Sequence, residues 1–335
     1  MSEAQVVSLA RRGPQRCRAI TVRGVPCRNQ AVEEAQFCRV HLPSDARESP
    51  NLLSGPLDIL RRDDLAGLVE FLRRRMRGEY EVDTFGFDRE LSEMVLPVLG
   101  PLIEKYWRVE VIGNDHLPAE GAALLTANHA GALPVDGVVL RSLVWQRPPH
   151  RHLRMLVADL AFTMPFLSGL VRKTGNTMAC AEDAERLLDA GEIVAVFPEG
   201  FKGVGKGFRQ RYRLQRFGRG GFVEVAIRTG TPIIPVSIVG SEEIYPMIAD
   251  VRPLARLLGL PYFPITPLFP WLGPLGMLPL PSKWIVEFGE PIATEHLGPD
   301  AASDPMVVFE TTDQVRQAIQ QTLVKNLRIR RSAFW

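Results

Sequence analysis

From Val109 onward the chain alternates short apolar runs with helical segments, the form that an α/β sheet takes in a sequence. Strands are predicted over Arg108 to Ile112, Ala122 to Ala127, Leu153 to Ala158, Ile193 to Phe197, Ile233 to Val239 and Trp284 to Phe288. Helices fall between them. Asp136 to Trp145 follows the second strand, Glu182 to Ala190 ends at Gly191, and Phe222 to Thr229 ends at Gly230, each glycine standing where a helix C-terminus closes. A last helix, about Val308 to Arg330, carries Val315, Ile319, Leu323 and Leu327 on one face. The expected fold class is α/β, with a mixed central sheet flanked by helices.

The 335 residues are 46% hydrophobic and 23% charged with a net charge of +2, enough apolar material for a full core, which excludes disorder of the bulk. Four cysteines are too few for a disulfide framework, and MSEAQVVSLARRG lacks the apolar centre of a signal peptide, so a cytoplasmic, reducing setting is expected. Residues 42–56, LPSDARESPNLLSGP, read as a linker behind a small head, 1–41. Beyond it lie a helical region, 57–106, the α/β domain, 107–296, and a linker with a C-terminal amphipathic helix, 297–335. Within 57–106, Asp58 to Arg77 is helical and basic at its end, and Asp88 to Trp107 reads as two short helices broken by Pro97 and Gly100-Pro101.

Two stretches depart from the average. From Gly200 to Val223 there are Lys202, Lys206, Arg209, Arg211, Arg213, Arg216 and Arg219 and no acid, a block that seeks anions. Leu257 to Ser282 carries no charge at all, yet Pro261, Pro264, Pro267 and Pro270 recur every third residue and Pro274, Pro279 and Pro281 follow. Each proline removes a backbone donor, so one straight spanning helix is excluded. A loop packed on protein, or one dipping into a membrane interface, fits better.

Two constellations can do chemistry. In TANHAGALPVDG, Asn128, His129 and Asp136 stand after a strand and at the opening of a helix, where α/β proteins place sites. A histidine there can take a proton near neutral pH, and a carboxylate beside it would set its tautomer, an arrangement suited to deprotonating an alcohol. The same residues could instead be a helix cap and a buried histidine. In VAVFPEGFKGVGKG, a strand delivers Pro198, Glu199 and Gly200 into the basic block. Gly200, Gly205 and Lys206 have nearly the spacing of a phosphate-binding loop, but Gly207 stands where a metal-binding hydroxyl is needed. A phosphate site of Arg and Lys side chains, with Glu199 orienting a hydroxyl or a cation, competes with a plain solvated loop.

Together, NHAGALPVDG, FPEG and TPIIPVSIVG resemble, in order and spacing, the motifs of the glycerolipid acyltransferase superfamily, which contains lysophosphatidate and glycerol-phosphate acyltransferases. The resemblance runs from about Trp107 to Ile292 and implies an acyltransferase-like α/β domain. On it, His129 is the general base and Asp136 its partner. Pro198, Glu199 and Gly200 form the acceptor-binding turn, with Asn128 beside them, and Pro235 belongs to the fourth motif. The chain has six residues between His129 and Asp136, more than the common form, as in the branch that is similar to mono- and diacylglycerol acyltransferases. Phe201-Lys202 replaces the usual arginine, so head-group recognition is expected from Lys202, Lys206, Arg211, Arg213 and Arg216. The resemblance implies direct transfer of a fatty acyl group from acyl-CoA or an acyl carrier protein to a glycerolipid hydroxyl at a membrane surface, without a catalytic cofactor. No Ser or Cys neighbours His129 and there is no G-x-S-x-G, so no acyl-enzyme is expected. Cys180 reads as a small buried residue, and His150 and His152 as surface residues.

The head contains Cys17, Cys27, Cys38 and His41, three thiolates and one imidazole that suit a tetrahedral structural zinc. A segment this short has too little core to fold without such a clip. It resembles small Cys3His zinc modules in TVRGVPC and FCRVH. Its arginines have no stacking platform beyond Phe37, so no nucleic acid is assigned.

Overall fold

The computed structural model describes residues 62–163 and 168–334, with side chains from residue 67 onward. The expected head with Cys17, Cys27, Cys38 and His41 and the 42–56 linker lie outside the described residues. The chain divides into two compact units, Met1–Glu79 and Tyr80–Trp335. In the first, α1 (Arg62–Met76) carries Arg73, Arg74 and Arg75 in its last turn, where cations complement the helix dipole.

The second unit opens with α2 (Arg89–Val95), capped by the Asp88 carboxylate, which accepts the Leu91 N–H at 2.9 Å. Turns of changed hydrogen-bond spacing over Leu96–Leu99 and Leu102–Tyr106 follow, and because Val95, Leu96, Gly100 and Pro101 all keep right-handed helical dihedrals, the expected break into two helices does not occur. Next come β1 (Glu110–Ile112), β2 (Ala123–Ala127), α3 (Val135–Gln146), β3 (Leu153–Val157), α4 (Leu160–Thr163), α5 (Ser168–Lys173), β4 (Asn176–Met178), α6 (Ala181–Asp189) and β5 (Ile193–Val196). The remainder comprises α7 (Phe201–Val204), α8 (Gly221–Thr229), β6 (Ile233–Val239), β7 (Ala249–Asp250), α9 (Arg252–Leu257), β8 (Pro264–Ile265), β9 (Ile285–Phe288) and α10 (Pro305–Ile329).

Seven strands form one mixed sheet in the order β1-β9-β6-β2-β5-β3-β4. The block from β6 to β4 is parallel, whereas β9 runs antiparallel to β6 and parallel to β1. β7 and β8 make a separate antiparallel pair. All six predicted strands lie in the sheet. β4 was not foreseen: it has three residues at the sheet edge, only Thr177 among them buried, too short and too polar to show an apolar run.

Alternate residues of the central strands face opposite layers. Leu125, Ala195 and Ile234 pack with Leu140 and Leu143 of α3, while Leu124, Val194 and Ile233 pack with Leu187 of α6, Ile227 of α8, and Val315, Ile319 and Leu323 of α10. Helices on both faces explain why β2 and β6 are buried along their whole length and read as continuous apolar runs. Truncating one such side chain, Leu125→Ala for instance, costs about 2–5 kcal/mol.

Candidate active site

β2 and β5 are parallel neighbours with Thr126 opposite Val196, so the loops that follow them leave the same edge of the sheet side by side. The first carries Asn128 and His129, the second Pro198, Glu199 and Gly200. His129 Nδ1 lies 2.8 Å from Asp136 Oδ2. The Asp136 side chain is fully buried and also accepts the N–H groups of Ala130 at 2.9 Å and Gly137 at 2.8 Å. An acceptor held this way requires Nδ1 to carry the ring proton, leaving Nε2 as the basic nitrogen. The imidazole is 12% exposed and lies against the Phe197 ring, centroids 4.4 Å apart. The helix-cap reading of Asp136 fails, because α3 starts at Val135 behind Pro134 with no side-chain cap and Asp136 lies inside its first turn; the carboxylate instead faces the His129 loop.

The loop backbone is held from beneath by Glu199. Its Oε1 accepts the His129 N–H at 2.9 Å and its Oε2 the Gln215 N–H at 2.6 Å, so a single carboxylate ties the histidine to the basic strip. Lys206 Nζ stands 3.6 Å from Glu199 Oε2 and 2.9 Å from Glu242 Oε1, all three side chains being almost wholly buried. Burial raises the Glu242 carboxyl to about 7, against the opposing pull of Lys206. Glu242 in turn accepts the Tyr212 N–H at 3.0 Å. The Tyr212 hydroxyl donates to Glu243, and Glu243 pairs with Arg330 at 2.7 Å. Burial, then the Glu243 charge, push the Tyr212 phenol well above its ordinary value, so it stays a donor.

This network sorts the residues expected at the substrate. Asn128, Glu199 and Lys206 are buried and turned inward. The Asn128 amide pairs with both backbone groups of Ile238, at 3.0 and 2.7 Å, adding one rung beyond the β2–β6 ladder. Lys202, Arg211, Arg213 and Arg216 are exposed, as are Arg209 and Arg219, and none of these six is ion-paired among the described residues. In the strip, Arg211 and Arg213 point out while Tyr212 and Leu214 point in. The Gln320 amide of α10 clamps that backbone, donating to the Tyr212 carbonyl at 2.9 Å and accepting from Leu214 N–H at 3.0 Å. Gly200 turns the chain at φ +55°, and the Pro198 carbonyl accepts the Gly218 N–H at 3.3 Å.

Gly203, in α7, completes the contact. A Cβ there would lie 2.7 Å from the His129 carbonyl oxygen and 2.7 Å from Glu199 Cβ, so only glycine lets the two loops close. Sequence reasoning overlooked Gly203, Gln215, Glu242 and Tyr262. Tyr262 belongs to the Pro-rich segment, and its hydroxyl donates to the Ala132 carbonyl at 2.8 Å. His152, expected at the surface, is instead 11% exposed, edge-on to Phe87 and 3.1 Å from Glu93, because α2 packs over it. Cys180, expected to be buried, is only half-buried before α6, where partial desolvation raises its thiol. Among the described residues no cluster of His, Cys, Asp and Glu could hold a metal ion.

The family model described as Acyltransferase matches residues 108–239, the span from β1 to β6 that carries this geometry. The chain is 57% identical over 279 residues to an uncharacterized protein of Mycobacterium tuberculosis (strain H37Rv), covering 82% of this chain and 78% of that one. It is 26% identical over 223 residues to a Gallus gallus protein named DGAT1/2-independent enzyme synthesizing storage lipids, covering 66% of this chain and 60% of that one. A crystal structure of the 1-acyl-sn-glycerophosphate acyltransferase PlsC from Thermotoga maritima superposes with a TM-score of 0.42 at 18% identity, covering 70% of this chain and 82% of that one. At 57% identity the chain belongs to one family with that mycobacterial protein, and within it residues 108–239 match the Acyltransferase model.

Proposed function

We propose that the protein transfers a fatty acyl group from a thioester, acyl-CoA or acyl carrier protein, to a hydroxyl of a glycerolipid-type acceptor such as a lysophospholipid or glycerol phosphate. The observation that carries this reading is the 2.8 Å contact between His129 Nδ1 and buried Asp136, joined through Glu199 to a strip of exposed cations. His129 Nε2 takes the hydroxyl proton as the acceptor oxygen attacks the thioester carbonyl carbon. The carbon–sulfur bond breaks, and the leaving thiolate recovers the proton from the imidazolium as free thiol. The thioester is already activated, so proton transfer need supply only about 10²–10⁴-fold, with positioning supplying more. Lys202, Arg211, Arg213 and Arg216 suit a phosphate of the acceptor or of the coenzyme. The reaction needs no metal or bound cofactor.

A neutral mono- or diacylglycerol acceptor is the second reading. It is favoured by the six residues between His129 and Asp136 and by the likeness to the Gallus gallus enzyme of storage-lipid synthesis. Thiol release from acyl-CoA with a panel of acceptors, wild type against His129→Ala, tests both. Equal rates in the two proteins overturn the enzymatic reading and leave a non-catalytic adaptor that keeps the fold. Faster turnover of glycerol phosphate or lysophosphatidate than of monoacylglycerol selects the first acceptor class.

Peripheral attachment to a cytoplasmic membrane face fits substrates with acyl chains; among the described residues no helix is long and apolar enough to cross a membrane. A structural zinc on Cys17, Cys27, Cys38 and His41 belongs to the same proposal and is tested by zinc content before and after Cys27→Ser.

A further inference from the structure

The Pro-rich stretch that the mechanism leaves unused is held as a rigid frame. Its main-chain oxygens are taken up by aromatic donors of the sheet unit: Tyr106 Oη donates to the Pro279 carbonyl at 2.7 Å, Trp107 Nε1 to Leu280 at 3.4 Å, and Tyr245 Oη to Met277 at 2.6 Å. The Leu280 N–H donates to Ile244 at 3.0 Å. With its backbone fastened inward, the segment turns large apolar side chains outward: Leu257, Leu258, Trp271, Leu272, Leu275 and Leu278 are all exposed, Trp271 at 73% and Leu275 at 67%. A cluster of this kind is rarely left bare on a soluble surface without a partner.

Its surroundings say what covers it. Leu257 to Ser282 carries no charge, while Arg252 and Arg256 stand exposed on the helix leading into it. The basic strip is linked to it through the β7–β8 pair: Phe208 N–H donates to Met247 and Ile248 N–H to Ile265, both at 2.8 Å. Arg252 pairs with Asp250 at 3.6 Å, whereas Arg256 has no ion pair among the described residues. An apolar centre beside such exposed cations is complementary to an anionic bilayer, whose headgroups meet the cations and whose acyl region accepts Trp and Leu. A strand-adding peptide is a poor match, because seven prolines and the internal donors leave no regular edge to pair with.

We infer that the Leu257–Ser282 segment is a docking surface for an anionic phospholipid bilayer, with Trp271 and Leu275 as its inserted side chains. Tyr262 ties this surface to the catalytic loop through Ala132, three residues beyond His129, so docking sets the histidine beside the source of its acyl-chain substrates. The inference rests on the acyltransferase reading for its purpose and on the exposed segment alone for its evidence.

The test is sedimentation of the full chain with vesicles of phosphatidylcholine alone and of phosphatidylcholine mixed with phosphatidylglycerol. The wild type is expected to bind, more tightly to the mixed vesicles, with a blue shift in emission that Trp271→Phe removes. Trp271→Glu with Leu275→Glu is expected to weaken binding about tenfold or more while its melting temperature stays at the wild-type value. Binding by that double variant equal to wild type, or no binding of the wild type to either vesicle, overturns the inference. So does conversion of a dimer to a monomer with vesicle binding unchanged, which assigns the surface to a second copy. Thiol release is measured on a soluble short-chain acyl-CoA without vesicles. If that activity is absent while vesicle binding behaves as expected, the enzymatic reading fails and the docking surface stands.

Discussion

The backbone N–H of His129 donates to Glu199 Oε1 at 2.9 Å, so the residue that carries the base is positioned by a carboxylate 70 residues away. Glu199 is buried and both of its oxygens face the protein frame, the other one serving Gln215 N–H and facing Lys206. Glu199→Gln replaces one acceptor with an NH₂ that must face a backbone donor. Turnover is expected to fall about tenfold or more and stability by about 1–3 kcal/mol. Thiol-release kinetics and chemical denaturation measure the two; a variant that loses only KM would instead put Glu199 at the acceptor.

Asp136 accepts from three donors at once, which leaves no place for an amide. Asp136→Asn is expected to lower kcat by about 10²–10⁴-fold with little change in KM, because the imidazole loses its tautomer and the imidazolium its counter-charge. Comparing kcat and KM on one acyl-CoA decides it, and a KM effect alone would contradict the assignment.

Gly203→Ala places a methyl within 2.7 Å of the His129 carbonyl oxygen and of Glu199 Cβ, neither of which is a flexible side-chain end. A cost of about 1–3 kcal/mol is expected, together with a loss of kcat, since His129 must move to relieve the clash. Gly218→Ala, where an added Cβ meets nothing within 4 Å, is the control and should behave as wild type.

Glu242 gives a pH signature. The folded chain holds its proton up to about pH 7 because burial disfavours the charge, while an unfolded glutamate releases it near 4.5. Between those values the folded state binds more protons, so this group's contribution to stability falls as pH rises from about 4.5 to 7. Urea midpoints measured at pH 5 and pH 8 are expected to drop more for wild type than for Glu242→Gln. Equal drops would mean that Lys206 keeps Glu242 ionised throughout.

Much of the fold was legible in the chain because each central strand is covered on both faces and so must be apolar without interruption. Four helices of the sheet unit, α3, α6, α8 and α10, were equally readable, since α6 and α8 stop at Gly191 and Gly230 and α10 keeps one apolar face, whereas the four- to six-residue α4, α5, α7 and α9 were not. β4, β7 and β8 were not, having two or three residues each and no burial pattern to print. His129 and Asp136 could be paired from spacing and from the motifs they share with the acyltransferases. Their neighbours could not: Lys206 looks like one more cation of a basic run, and nothing local shows that it alone of that run is buried between two acids.

Sequence by itself determined the elements, their apolar faces, the histidine and carboxylate that open α3, and an acid-free strip of cations. Tertiary structure decided which groups meet substrate and which hold the frame. It set β2 beside β5 so that Glu199 reaches the His129 backbone, drew Lys206 inside, left six cations outside, and fastened the Pro-rich segment by its carbonyls with its side chains exposed. The reason is physical: hydrophobic periodicity is written along the chain, whereas the partner of a buried charge is chosen only when distant segments exclude water together.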